Sequence, residues 1–216
     1  MKRLIFSAIA MMALVASCSD GNKRVPFEEL NVGVTERDTM IYGFCASGSA
    51  MHTLQIITDA DDTLTLSVAG AREKRLVFGG YAVGDEMAVT VNKDTTEATM
   101  IINKSALNGN WVMPNPVDGS SYQGISIQKG GTAESIDQSN IMYKSWRLFN
   151  GRLLIVASRD DGPGKDETLE FKILRLTTDS LFLSDGEDIY EYGRQRFEVD
   201  EDLGIELDDG MDDFFL

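Results

Sequence analysis

The chain has one histidine, two cysteines, two tryptophans and four prolines in 216 residues. A single histidine, His52, excludes metal sites built on several imidazoles, and any Ser-His-Asp triad would have to be built on it. His52 opens a strand-like run with no nucleophile beside it, so it is read as structural. A phosphate loop is missing too: Gly162-Pro163-Gly164-Lys165 has neither the upstream spacing nor the Ser or Thr after lysine that such a loop needs for phosphate and magnesium. Cations are scarce. Twenty Lys and Arg against 35 Asp and Glu give a formal charge of −15, which argues against a general nucleic-acid binder. Long apolar runs are scarce as well: Leu4 to Val15 is the one of note, and it is shorter than the ~20 residues of a membrane-spanning helix. There is no helical periodicity of useful length after Cys18 and no internal repeat.

What stands at the N-terminus is an address. Lys2 and Arg3, the apolar run and then small residues before Cys18 make residues 1–17 a secretory signal. Val15-Ala16-Ser17-Cys18 resembles the lipobox of bacterial lipoproteins, in which the signal is removed and the cysteine is acylated. That resemblance implies lipidation of Cys18 and a membrane partner through the anchor, since two thioether-linked chains plus an acylated amine exceed the single chain that binds only marginally. An ordinary signal peptide with a chance cysteine is the alternative. Removing Lys2 and Arg3 with the signal takes the formal charge from −15 to −17. Residues 18–26 form a polar tether. Inner-membrane lipoproteins commonly carry aspartate directly after the cysteine; Ser19 stands there, which points to the cell envelope at the outer membrane. With Cys18 acylated, Cys45 is left without an intrachain partner and is read as a small buried hydrophobe.

Residues 27–104 hold five or six short strand candidates: Thr39 to Ala46, His52 to Thr58, Thr63 to Val68, a weaker Arg75 to Phe78, Met87 to Asn92 and Glu97 to Asn103. Leu64, Leu66 and Val68 alternate with polar neighbours, as do Met87, Val89 and Val91, the pattern of a half-buried antiparallel sheet. A small β-barrel of the OB or SH3 type is the simplest closure for this length, with a small sandwich as the alternative.

From Leu107 the pattern changes. Eight strands are predicted before Arg196: Gly109 to Met113, Gln123 to Gln128, Thr132 to Asp137, Met142 to Phe149, Arg152 to Ser158, Thr168 to Ile173, Ser180 to Leu183 and Ile189 to Gly193. Turn residues separate them, and Asn150-Gly151 is the sharpest hairpin signal in the chain. Leu107-x-Gly109-x-Trp111, Tyr122-Gln123-Gly124-Ile125, Gly131-Thr132-Ala133, Tyr143-x-x-Trp146, the run from Leu176 to Leu181 and Tyr192-Gly193-Arg194 resemble the lipocalin-like lipoproteins of Gram-negative bacteria. The resemblance covers residues 107–196 and implies an eight-stranded antiparallel barrel, so that the whole chain is all-β. It also implies that Trp111 plugs one end, with Arg194 or Arg196 packed over its ring to close the barrel, a cation–π contact of ~0.5–2 kcal/mol.

Candidate ligand contacts are the aromatic residues Trp111, Tyr143, Trp146, Phe171 and Tyr192, for a small apolar or amphipathic molecule. Against this stands the possibility inherent in eight strands that the barrel is filled by its own side chains. The alternative function is then a protein- or glycan-interaction module working through rims and loops. Acidic turns at Asp59, Asp61 and Asp62, at Asp160, Asp161, Asp166 and Glu167, and at Asp185, Glu187 and Asp188 lack the spacing of a calcium loop and are read as solvated. No metal, no cofactor and no catalytic residue is assigned, and the chain is read as non-enzymatic. Residues 197–216 carry nine acids and no lysine or arginine, interleaved with Leu203, Ile205, Leu207, Met211, Phe214, Phe215 and Leu216. Such a tail cannot form a core of its own and suits an envelope protein partner with a basic, partly apolar surface.

Overall fold

The computed structural model describes residues 37–115, 119, 121–137, 140–159 and 165–195. The signal, Cys18 and its tether, Arg196 and the acidic tail at 197–216 lie outside the described residues. Among those described, no helix is long and apolar enough to cross a membrane.

Two sheets are present, of six and eight strands. The first comprises β1 (Ile41–Cys45), β2 (Thr53–Thr58), β3 (Thr63–Ser67), β4 (Val77–Phe78), β5 (Glu86–Val91) and β6 (Ala98–Asn103), with the short helix α1 (Ala69–Glu73) between β3 and β4. Their order is β3-β2-β1-β5-β6-β4, and all pairs are antiparallel except β4 with β6. Period-2 alternation sends Leu54, Ile56, Leu66, Met87, Val89 and Ile101 to one core, all fully buried. A parallel bridge between Ser67 and Glu97 brings the end of β3 onto the start of β6, so the sheet curls toward closure. The small barrel expected here is thus a mixed, partly closed sheet. The weak strand at Arg75–Phe78 shrinks to two residues, because Arg75 takes a φ of 57° and the Leu76 N–H donates back to the Ala71 carbonyl at 2.7 Å at the end of α1.

The second sheet contains β7 (Gly109–Pro114), β8 (Tyr122–Ile127), β9 (Ala133–Ile136), β10 (Ile141–Phe149), β11 (Arg152–Arg159), β12 (Glu167–Leu176), β13 (Ser180–Ser184) and β14 (Ile189–Arg194). Each strand pairs antiparallel with its sequence neighbour, and β14 pairs with β7, giving the order β10-β11-β12-β13-β14-β7-β8-β9. The Asn150-Gly151 turn has φ of 47° and 78°, the double positive φ of a tight hairpin. Between β9 and β10 the ladder is reduced to a Thr132–Ser145 bridge and a hydrogen bond from the Trp146 N–H to the Gly131 carbonyl at 2.7 Å. This eight-stranded barrel is therefore near-closed.

Its inward positions alternate as the sequence predicts: Ile125 and Ile127, Trp146 and Leu148, Leu153 and Ile155, Phe171 and Ile173, Leu181 and Leu183 are all buried. The same cluster takes in Met40, Phe78, Ala88 and Ile102 from the first sheet, which thus contributes to the barrel's core beside keeping a cluster of its own. Polar contacts follow it. Asn150 Oδ1 accepts from the Thr39 N–H and hydroxyl, the Asn150 N–H donates to Asp38 Oδ1, and the Gly79 N–H donates to the Leu176 carbonyl.

Candidate functional site

Strand direction gives the barrel two ends. At one, the foot, β7 begins, β14 finishes, and helix α2 (Lys104–Leu107) leads in from the first sheet. Asn103 caps α2 with its side-chain oxygen on the Ala106 N–H at 2.9 Å, and the carbonyls at the helix end need donors in turn. Trp111 Nε1 donates to the Leu107 carbonyl at 2.7 Å; Arg194 Nη2 and Nη1 donate to the Ala106 and Asn108 carbonyls, each at 2.7 Å, and Nε to that of Thr178. The Arg194 guanidinium carbon lies 4.1 Å from the Trp111 ring centroid, and desolvation by burial lowers the Arg194 pKa. Trp111 is fully buried. With no exposed surface, it fills the foot of the barrel beneath the Arg194 guanidinium. Arg196, the other residue considered for this role, lies outside the described residues.

Trp146 also packs in the core, 5% exposed, with Nε1 donating to the Gln128 carbonyl at 2.8 Å. The lower barrel is thus filled by its own side chains. The remaining candidates belong to the same cluster, Phe171 and Tyr192 being buried and Tyr143 partly buried near the start of β10, the strand that leaves the mouth where the β7–β8, β9–β10, β11–β12 and β13–β14 connections lie.

Tyr190 joins them there. It stands two residues from Tyr192 on β14 and hence on the same face, so alternation alone could have added it to the candidates. Its ring meets Phe171 edge-on, with centroids 5.8 Å apart at 89°. The Tyr190 hydroxyl donates to Asp185 Oδ2 at 2.8 Å, and its pKa is pushed up to about 12, by burial first and by Asp185 next. Burial raises the Tyr192 phenol further, and the nearby Tyr143 and Tyr190 add to it. Asp185 is held below the usual carboxylate range, chiefly by the Asp188 N–H and then by Tyr190. Three phenols and Phe171 thus form one layer, with half-buried Met113 and Leu169 packed beside it. Ser135 pins the seam at this level: its hydroxyl donates to the Ile141 carbonyl at 2.6 Å and accepts from the Tyr143 N–H at 2.9 Å. Around the rim, Tyr122, Met142 and Ile189 are 61%, 54% and 61% exposed.

A layer of weakly acidic phenols over a packed apolar floor can stack against a flat or aliphatic body and offer hydroxyls to its polar end. The described residues contain no group of three or more His, Cys, Asp or Glu side chains placed to hold a metal ion.

No curated protein matches the chain. Among solved structures, a lipocalin-like protein from Bacteroides thetaiotaomicron VPI-5482 is 29% identical, over a match that covers 41% of this chain and 95% of that one with a TM-score of 0.37. The lipocalin-like family model matches residues 103–195, from the Asn103 cap of α2 to the end of β14, and this segment is a lipocalin-like domain.

Proposed function

We propose that this is a lipid-anchored, non-enzymatic protein of the cell envelope whose lipocalin-like domain binds a small apolar or amphipathic molecule at the mouth of its barrel. The observation that carries the reading is the group of Tyr143, Phe171, Tyr190 and Tyr192, with the partly buried Tyr143 and Tyr190 packed against the barrel core and Tyr190 edge-on to Phe171. Binding without chemistry is typical of lipocalin-like proteins, which supports the same reading. Anchoring rests on Cys18 after its apolar signal, and Ser19 favours the outer membrane. The test for the anchor is Cys18→Ala, which should stay unprocessed or become soluble; membrane partition equal to wild type would overturn it.

For the ligand, the full chain is titrated with the neutral fluorophore phenylnaphthylamine. Replacing Tyr143 and Tyr190 together by alanine should weaken binding by about tenfold, on the scale of losing one or two aromatic contacts, while the fold is retained. Unchanged affinity in a folded double variant would remove the mouth from consideration. The second reading, an interaction module for a protein or glycan, is favoured by the exposed rim of Tyr122, Met142 and Ile189. In that case the fluorophore does not bind, the rim and the acidic segment at 197–216 carry the partner, and a co-purifying macromolecule is what native mass spectrometry detects.

A further inference from the structure

The rings of Tyr143, Phe171 and the pair Tyr190 and Tyr192 come from β10, β12 and β14, strands that alternate around the barrel. β10 and β14 stand four places apart in the order of eight, so Tyr143 faces Tyr190 and Tyr192 across the lumen, with Phe171 on the wall between them. Burial raises the pKa of Tyr190 and Tyr192 most, and Tyr143 adds to both, as a phenol does only at close range. Phe171 and Tyr192 are buried, whereas Tyr143 and Tyr190 are half-buried and each keeps part of its side chain open. Phe171 and Tyr190 meet at 89°, as two walls rather than a stack. In such a pair one ring lays its edge on the other's face and keeps its own two faces for a third group.

Charge decides what that group is. An aromatic face is the negative side of the ring quadrupole and draws a cation. Elsewhere in this chain, cations of the chain itself cover such faces: Arg194 lies over Trp111, Lys104 over Tyr42 and Arg175 over Phe182. Among the described residues, no lysine or arginine is set over Phe171, Tyr190 or Tyr192. A carboxylate stands beside them instead. The Tyr190 hydroxyl donates to Asp185 Oδ2 at 2.8 Å, which puts a full negative charge at the rim of the ring. Asp185 is fixed there from behind, since its Oδ1 accepts from the Asp188 and Glu187 N–H groups at 2.8 and 3.0 Å. Two cations on the strands at this end, Lys144 and Arg159, lie against carboxylates of their own, Asp166 and Glu167.

We propose that the mouth selects organic ammonium ions, with the cationic head against the faces of Tyr143 and Tyr190 and beside Asp185, and the apolar body toward Met113 and Leu169. The inference rests on the mouth reading above and narrows its ligand from amphipathic molecules in general to amphipathic cations. The formal charge of −15 draws any cation weakly, and the experiment separates that background from the rings.

Phenyltrimethylammonium and its neutral isostere tert-butylbenzene share a shape and differ in charge; binding of each to the full chain is followed by ligand-observed NMR titration. The cation should bind about fivefold tighter or more, on the scale of one or two partly desolvated cation–π contacts. Replacing Tyr143 and Tyr190 together by leucine should abolish that preference in the folded protein, and Asp185→Asn, at an exposed position, should reduce it. An isostere that binds as tightly as the cation overturns the proposal. So does a preference that persists in the folded double variant, because the attraction would then belong to the acidic chain at large. Should the double variant fail to fold, Asp185→Asn decides: a reduced preference supports the site, and an unchanged one refutes it. Failure of the mouth reading looks different. If phenylnaphthylamine binds through Tyr143 and Tyr190 but the cation is not preferred, the ligand class is wrong and the mouth stands; if no probe binds, both fall.

Discussion

Gly109 is where the residue scale explains the motif. In Leu107-x-Gly109-x-Trp111 the glycine has φ of +144°, and a Cβ there would collide with Arg194 Nη1. The motif therefore selects glycine so that Arg194 can pass under β7 and reach the Ala106 and Asn108 carbonyls, and it selects tryptophan so that one ring fills the foot, bonds the Leu107 carbonyl and receives the guanidinium on its face. A lysine at position 194 would offer one point charge in place of the fork and could not satisfy these carbonyls together. Truncating the ring removes all of its roles at once: Trp111→Ala should lose about 3–5 kcal/mol in denaturant unfolding. A loss under about 1 kcal/mol would mean that the foot repacks without the indole, a magnitude typical of sites that can collapse.

At the scale of elements, the strands were legible because period-2 alternation and turn chemistry are both local. The edges of β1, β2, β5, β6 and all eight barrel strands fall within a few residues of where alternation and turns place them. α1 was not legible, since five residues in Ala-Gly-Ala-Arg-Glu carry no periodicity and are helical only because Ala71 has a core to fill. The parallel pairing of β4 with β6 was also out of reach, because a two-residue strand encodes no partner. Of the site, the tyrosines of β10 and β14 could be read from sequence. The ion pairs of Glu86 with Lys104 and Lys129 could not: these residues belong to separate segments that only the docking of the two sheets unites. This ion-pair cluster has a pH signature. Glu86 is held below its ordinary value of 4.5, by Lys129 above all and then by Lys104. A carboxyl lowered on folding contributes stability that is complete above the unfolded value and drains away as pH falls through the folded one. Between about pH 6 and about pH 3, wild type should therefore lose more melting temperature than Glu86→Gln. Equal losses would show that the cluster contributes nothing, as many exposed ion pairs do.

For the molecule as a whole, the decisive fact is that Met40, Phe78, Ala88 and Ile102 from the first sheet are buried in the same cluster as Trp111, Leu153 and Leu181 from the barrel. The described residues, 37–195, all fall within a single compact unit accordingly. The first sheet also keeps a buried cluster of its own, but it cannot part from the barrel without exposing Phe78, Ala88 and Ile102, so a single cooperative transition is expected. Phe78 tests this well because it is 5% exposed, lies on β4 of the first sheet, and is distant in sequence from either tryptophan. Both tryptophans, Trp111 and Trp146, lie in the barrel, so tryptophan fluorescence reports the barrel while far-ultraviolet circular dichroism reports both sheets. Phe78→Ala should lower stability by about 3–5 kcal/mol, the usual range for a buried phenylalanine. If the core is shared, the loss appears equally in both signals, with coincident midpoints before and after the substitution. A fluorescence midpoint that stays at its wild-type position while the dichroism transition moves or splits would instead show a barrel that folds on a core of its own.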